Sequence, residues 1–112
     1  MTYGMSLPKN PVIRFAPYGL LAAVRSQNDI GDRERFRVNG RDRISDGSNR
    51  NAVSEVKNVQ NTQSLTQQIR DTIQHAQETN RAADLYLPES TKVTGPLQDA
   101  IDNGFVTRKP IP

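Results

Sequence analysis

Three residues in the middle of the chain have the types and spacing for phosphoryl chemistry: Asp46, Glu55 and Lys57. Glu55 and Lys57 stand two apart in NAVSEVKNVQ (51–60), whose alternation is that of a half-buried strand. Their side chains therefore share a face. Asp46, in RDRISDG (41–47), is eight intervening residues from Glu55, a length that lets a hairpin-like connection return it to Glu55's side. Two carboxylates brought together repel unless a cation sits between them, and a hard divalent ion suits oxygen donors. Lysine beside them supplies a compact positive charge that can hold an attacking water or offset charge on a phosphoryl group. Phosphodiester hydrolysis is the natural reaction class. The same residues also read without chemistry. Asp46-Gly47 is what any tight turn looks like, and Glu55 with Lys57 can be a same-face surface pair contributing little.

The elements that must position these residues follow from periodicity and turn signals. PYGLLAAVRSQ (17–27) carries an apolar cluster that fits a short helix or an irregular lead-in, and NDIGD (28–32) reads as a loop. ERFRVNG (34–40) sets Phe36 and Val38 against arginines and ends in Asn39-Gly40, a strong hairpin turn, with residues 41–47 returning. AVSEVKNV (52–59) reads as a strand with Val53, Glu55, Lys57 and Val59 on one face and Ser54, Val56 and Asn58 on the other. From Ser64 the period becomes helical, with Leu65, Ile69, Ile73 and Ala76 in one stripe and Ser64 and Gln67 at capping-box spacing. ADLYLPE (83–89) reads as a strand, Pro96 opens a helix stopped at Gly104, and FVTRKPI (105–111) adds a last strand confined to an edge by Pro110. The order hairpin, strand, helix, strand, helix, strand predicts an α/β (α+β) fold, a mixed sheet flanked by helices. Residues 1–32 read as an irregular or partly helical lead-in and 33–112 as the core of a single domain.

Polar residues at the start of the first long helix invite a phosphate, because amides and dipole there favour anions. Gln63 or Gln67 can contact a scissile phosphate or position Lys57. Alternatively Ser64 caps, the glutamines are solvated, and Arg70 pairs with Asp71 or Glu78. His75 reads as a boundary residue of that helix rather than a general base, and Tyr86 as core or rim.

Composition narrows the chemistry. The chain has 112 residues, 34% hydrophobic and 24% charged, with a net charge of +3. Arginines cluster at positions 33, 35, 37, 41, 43 and 50. Such a surface favours polyanions, nucleic acid above all, and reads equally as a solvated basic face. The absence of cysteine excludes disulfides, thiolate nucleophiles and sulfur-bound zinc, and the single histidine excludes a multi-histidine metal site. Oxygen ligands point to Mg²⁺, Mn²⁺ or Ca²⁺. No apolar run reaches membrane-spanning length, and the first residues lack a signal-peptide core.

The linked segments RDRISDG, SEVKNVQNTQSLTQQIRD and DLYLPESTKVTGPLQDAIDNGFV resemble the restriction-endonuclease-fold nuclease domains at the tips of bacterial polymorphic toxins, effectors of contact-dependent growth inhibition among them. The wider group is the PD-(D/E)xK nucleases. The resemblance covers roughly residues 41–106 and implies a restriction-endonuclease-like core. By it Asp46 and Glu55 bind Mg²⁺ or Mn²⁺, Lys57 is catalytic, the Val56 carbonyl is available to the ion, and Gln63 matches a glutamine that follows the catalytic strand. Ser45 replaces the family's usual proline. Arg35, Arg37, Arg41, Arg43 and Arg70 would steer and seat the nucleic acid. The resemblance further implies delivery as part of a larger secreted or surface effector and action in the cytoplasm of competing bacteria on DNA or on RNA, tRNA included. A cognate immunity protein would be a partner, with room for a host protein of the target cell. One departure stands out. The family's upstream helix carries a glutamate that joins the site, whereas residues 17–27 contain no acid. Either the sequence begins inside the domain, or Glu34 or Asp32 substitutes, or the site works with fewer ligands. A catalytically silent nucleic-acid- or protein-binding domain on the same scaffold is the alternative this departure raises.

Overall fold

The computed structural model describes residues 17–111. In chain order its elements are α1 (Pro17–Gln27), β1 (Arg35–Val38), β2 (Arg41–Ile44), β3 (Gly47–Ser48), β4 (Ala52–Val56), β5 (Thr62–Gln63), α2 (Gln67–Glu78), β6 (Ala82–Leu87), β7 (Lys92–Val93), α3 (Gly95–Asp102) and β8 (Thr107–Pro110). Of the expected lead-in, residues 1–16 lie outside the described residues, and 17–27 are helical throughout.

Asn39 and Gly40 both adopt positive φ, 50° and 80°, as a two-residue hairpin turn requires. The turn sets the register: Arg35 faces Ile44, Phe36 faces Arg43, Arg37 faces Asp42 and Val38 faces Arg41. The register divides the four hairpin arginines expected to seat nucleic acid between two faces. Residues directly opposite share a face, so Arg35 and Arg37 lie outward with Asp42 and Ile44. Arg41 and Arg43 lie inward with the buried Phe36 and Val38.

The main sheet runs β3-β4-β6-β8, with β3 antiparallel to β4 and the remaining neighbours parallel. Parallel neighbours need crossovers; α2 carries the chain from β4 to β6 and α3 from β6 to β8. On one face Val53, Leu85 and Leu87 meet Ile69 of α2 and Leu97 of α3. On the other, Tyr86 meets Val24 of α1 and Ile30. Each fully buried aliphatic side chain contributes about 1.5–3 kcal/mol. A second, two-stranded parallel pair, β5 with β7, lies outside this sheet.

That small pair shifts the helix start. Because Thr62 and Gln63 are committed to β5, α2 begins at Gln67 rather than at Ser64, and the cap is Thr66, whose hydroxyl accepts from the Ile69 amide at 3.2 Å.

The hairpin docks on α2 through charge as much as through apolar contact. Asp71, 1% exposed, accepts paired hydrogen bonds from Arg41 at 2.9 and 2.8 Å, one from Arg43 at 2.8 Å and one from Gln67 at 2.9 Å. Arg41 above all, against the cost of desolvation, and then Gln67 and Arg43, hold this carboxyl well below the usual carboxylate range. Phe36 stacks on His75 with ring centroids 4.1 Å apart. His75 Nε2 in turn lies 3.3 Å from Glu34 Oε2, so the histidine sits at a boundary.

Candidate active site

The antiparallel pairing of β3 with β4 brings the central residues together. Gly47 stands opposite Ser54, so Asp46, one step beyond, falls beside Glu55. The Asp46 amide donates to Ser54 O at 3.1 Å, and its Oδ2 accepts from the Val56 amide at 2.8 Å. Beyond β3 the edge of β4 is open, and the Asp46 carboxylate takes the place a continuing strand would occupy. Gly47 makes the approach feasible. A Cβ there would lie 2.6 Å from Ile30 Cγ1 and 2.7 Å from Ile30 O, so Asp46-Gly47 is a bend of close backbone passage leading into β3 rather than a tight turn. Ser45 contributes too. Its amide donates to Glu34 O at 2.9 Å and its hydroxyl accepts from Glu34 N at 3.0 Å. A proline at 45 has no amide to give that first bond.

Glu55 points to the α2 face and is 3% exposed. Thr72 Oγ1 lies 3.4 Å from its Oε2 and Gln68 Nε2 3.5 Å from its Oε1. Burial, reinforced by the neighbouring Asp46 carboxylate and opposed by Lys57, pushes Glu55 up to about 8. In the absence of a cation this carboxyl therefore keeps its proton at neutral pH. Lys57 lies just past β4, its amide donating to Tyr86 O at 3.0 Å and its Nζ to Gln68 Oε1.

The donor set fits a divalent ion. Two carboxylates converge, one destabilised when ionised alone, and alternation along β4 turns the Val56 carbonyl to the same open edge as its amide, which Asp46 holds. Among the described residues no group of three or more acidic, histidine or cysteine side chains gathers around one point. An ion here would rest on Asp46, Glu55 and main-chain oxygen, with water completing its shell.

The remaining expectations divide. Gln63 is buried in β5, where its amide donates to Ser64 O at 2.9 Å, and among the described residues it makes no hydrogen bond to Asp46, Glu55 or Lys57. Gln67 is occupied by Asp71. Gln68 instead bridges Lys57 and Glu55; its signal was polar spacing, since Gln68 and Thr72 lie four apart, one step before Ile69 and Ile73 of the apolar stripe. The Glu34 carboxylate is engaged elsewhere. Ser48 donates to it at 2.6 Å and Arg81 at 3.0 Å, at the end of the sheet away from Val56. Burial pushes the Glu34 carboxyl up, but the bonds from Ser48, Arg81 and His75 outweigh it and hold it below its ordinary value. Asp32 is exposed and bridges Ser48 through its backbone.

Helix α1 reaches the site through a cation instead. Arg25 bonds the main-chain oxygens of Gly31 and Asp46, fixing the Asp46 backbone where the resemblance led one to expect a glutamate. Arg33 approaches the same residue from solvent, its guanidinium 3.2 Å from Asp46 Oδ1. Arg41 and Arg43 are committed to Asp71, which removes them from the free basic surface. Arg37 pairs with Asp42 at 2.7 Å. Arg35 is exposed on the outer hairpin face, and Arg70 is exposed two residues from Gln68, which turns it to another side of α2.

A family model described as restriction endonuclease fold toxin 7 matches residues 22–97. No curated protein and no solved structure gives a match.

Proposed function

From a chain that belongs to the restriction endonuclease fold toxins, a nuclease-type toxin family, we propose hydrolysis of phosphodiester bonds in the RNA, tRNA included, or the DNA of competing bacteria, with a divalent cation held by Asp46 and Glu55. The observation that carries this reading is the convergence of Asp46, Glu55 and Lys57 at the open end of β4.

When bound, Mg²⁺ or Mn²⁺ supplies positive charge to the phosphoryl oxygens and acidifies a water. The chain's own residues then have distinct tasks. Asp46 is pinned through Oδ2 by the Val56 amide and would hold the ion with its other oxygen. Glu55 would have to release its proton to solvent to serve as a ligand, which would tie cation affinity to pH. Lys57, steered by the Gln68 carbonyl, directs its ammonium to the attacking water or to a non-bridging oxygen. Arg35 and the outer hairpin face provide phosphate contacts away from the reacting bond. The burial of Thr72 beside Glu55 limits water on that side.

We further propose that a larger secreted or surface effector delivers this domain into the target cytoplasm and that a cognate immunity protein neutralises it. Among the described residues no helix is long and apolar enough to cross a membrane. Incubating the purified chain with plasmid and with total RNA in Mg²⁺ tests the reading, with a parallel arm in target-cell extract for a host protein requirement. Cleavage that a chelator stops is the expected result; absence of cleavage in every arm argues for the silent binding domain.

A further inference from the structure

We propose that Arg33 is a substrate-engaging residue that stands on Asp46 until a cation takes its place, and then turns to the phosphate of the nucleic acid. The inference rests on the nuclease reading and adds a residue to it.

Asp46 has two carboxylate oxygens with different occupants. Oδ2 is fixed by the Val56 amide at 2.8 Å, inside the strand geometry. Oδ1, the oxygen left for an ion, is held by Arg33 at 3.2 Å. A cation and Arg33 therefore compete for the same atom. The competition is one Arg33 loses easily, because its side chain is 59% exposed and exposed ion pairs contribute little.

The other arginines nearby are built differently. Arg25 is fixed on two carbonyls, Arg41 and Arg43 on buried Asp71, and Arg81 on Glu34 and Asn49 O. Among the described residues Arg33 makes no side-chain hydrogen bond beyond the one to Asp46. Its backbone is nonetheless anchored on both sides, by the Asp32 bridge to Ser48 and the Glu34 pairing with Ser45. A released Arg33 stays beside the ion and swings only its side chain. A guanidinium there can take two phosphate oxygens at once.

Two measurements test the exchange without relying on turnover. In the first, free Mn²⁺ is followed by electron paramagnetic resonance during titration of wild type, Arg33→Ala and Asp46→Asn. Arg33→Ala is expected to bind Mn²⁺ about threefold to fivefold tighter, and Asp46→Asn at least about tenfold weaker. In the second, labelled RNA and duplex DNA oligonucleotides are bound in separate arms, in chelator and in Ca²⁺, and followed by fluorescence anisotropy. The loss of affinity caused by Arg33→Ala is expected to be small in chelator and about tenfold in Ca²⁺, with Arg33→Lys recovering part of it. Mn²⁺ affinity that is unchanged or weaker in Arg33→Ala overturns the competition. An equal oligonucleotide penalty with and without Ca²⁺ overturns the transfer. Wild-type Mn²⁺ binding by Asp46→Asn overturns the cation site itself, a failure of the nuclease reading distinct from the other two.

Discussion

Replacing Glu55 by glutamine should change how the metal-free protein responds to pH. The Glu55 carboxyl is raised from 4.5 to about 8 by burial and by Asp46. Its folded value lies above its unfolded one, so the folded state keeps a proton that the unfolded chain releases. Stability from this group is full below about pH 4.5, declines as pH rises, and levels off once the folded group also ionises near pH 8. Each pH unit inside that window costs about 1.4 kcal/mol. Moving from about pH 5 to about pH 7 therefore costs about 3 kcal/mol, roughly 10–20 °C in Tm for a domain of this size. Asp71 and Glu34 act with the opposite sign, since both are held below their ordinary values of 3.8 and 4.5. Their stabilisation is present above those values and lost as pH falls, so they do not mask the slope above pH 5. Circular dichroism melts of wild type and Glu55→Gln in chelator, at steps from about pH 5 to about pH 8, provide the assay. Wild type should lose Tm steadily, Glu55→Gln should stay nearly flat, and Mn²⁺ should restore wild type at the upper end. Parallel profiles for the two proteins would refute the reasoning, because they would mean that Glu55 ionises as an ordinary surface carboxylate.

Other perturbations separate the roles of neighbouring side chains. Asp71→Asn removes the charge that three hydrogen-bonding side chains converge on, and should cost about 2–4 kcal/mol in urea denaturation while Asp46→Asn leaves the fold intact. Arg41→Ala should lower stability with little effect on the salt dependence of nucleic-acid binding. Arg35→Ala should do the reverse, reducing the slope of log affinity against log salt by about one; equal effects from both would contradict the two-faced hairpin. Gly47→Ala forces a methyl against Ile30 and its carbonyl and should destabilise by about 2 kcal/mol or more. Gln68→Ala frees the Lys57 ammonium and should slow cleavage about tenfold at unchanged substrate affinity, whereas Gln63→Ala should act on stability alone.

Features that depend on local period or turn chemistry were legible in the sequence. Asn39-Gly40 specified the hairpin, alternation placed Val53 and Glu55 on one face, and the stripe of Ile69, Ile73 and Ala76 specified α2. What escaped depended on pairing at a distance. The two-residue β5 has no periodicity to read, yet it claims Thr62 and Gln63 and moves the helix cap to Thr66. The inward turn of Arg41 and Arg43 follows from a register with Phe36 opposite Arg43, and it alone makes sense of an aspartate buried in α2. The candidate site followed the same division. Its Glu-x-Lys spacing was visible, although the strand expected over 52–59 ends at Val56 and leaves Lys57 just beyond it; the contacts of Gln68 with Lys57 and Glu55 follow from how α2 crosses the sheet. In place of the acid expected from an upstream helix stands Arg25, a residue whose sequence neighbourhood gives no hint of a carbonyl partner twenty-one residues away.

The central claim is that Asp46, Glu55 and Lys57 form one hydrolytic site. Its most direct test is the single-turnover cleavage rate of labelled RNA and DNA in Mg²⁺, comparing wild type with a Lys57→Ala variant shown by circular dichroism to be folded. The account predicts chelator-sensitive cleavage by wild type on at least one substrate and a loss of about 100-fold or more in the variant. Cleavage by folded Lys57→Ala at the wild-type rate would contradict it.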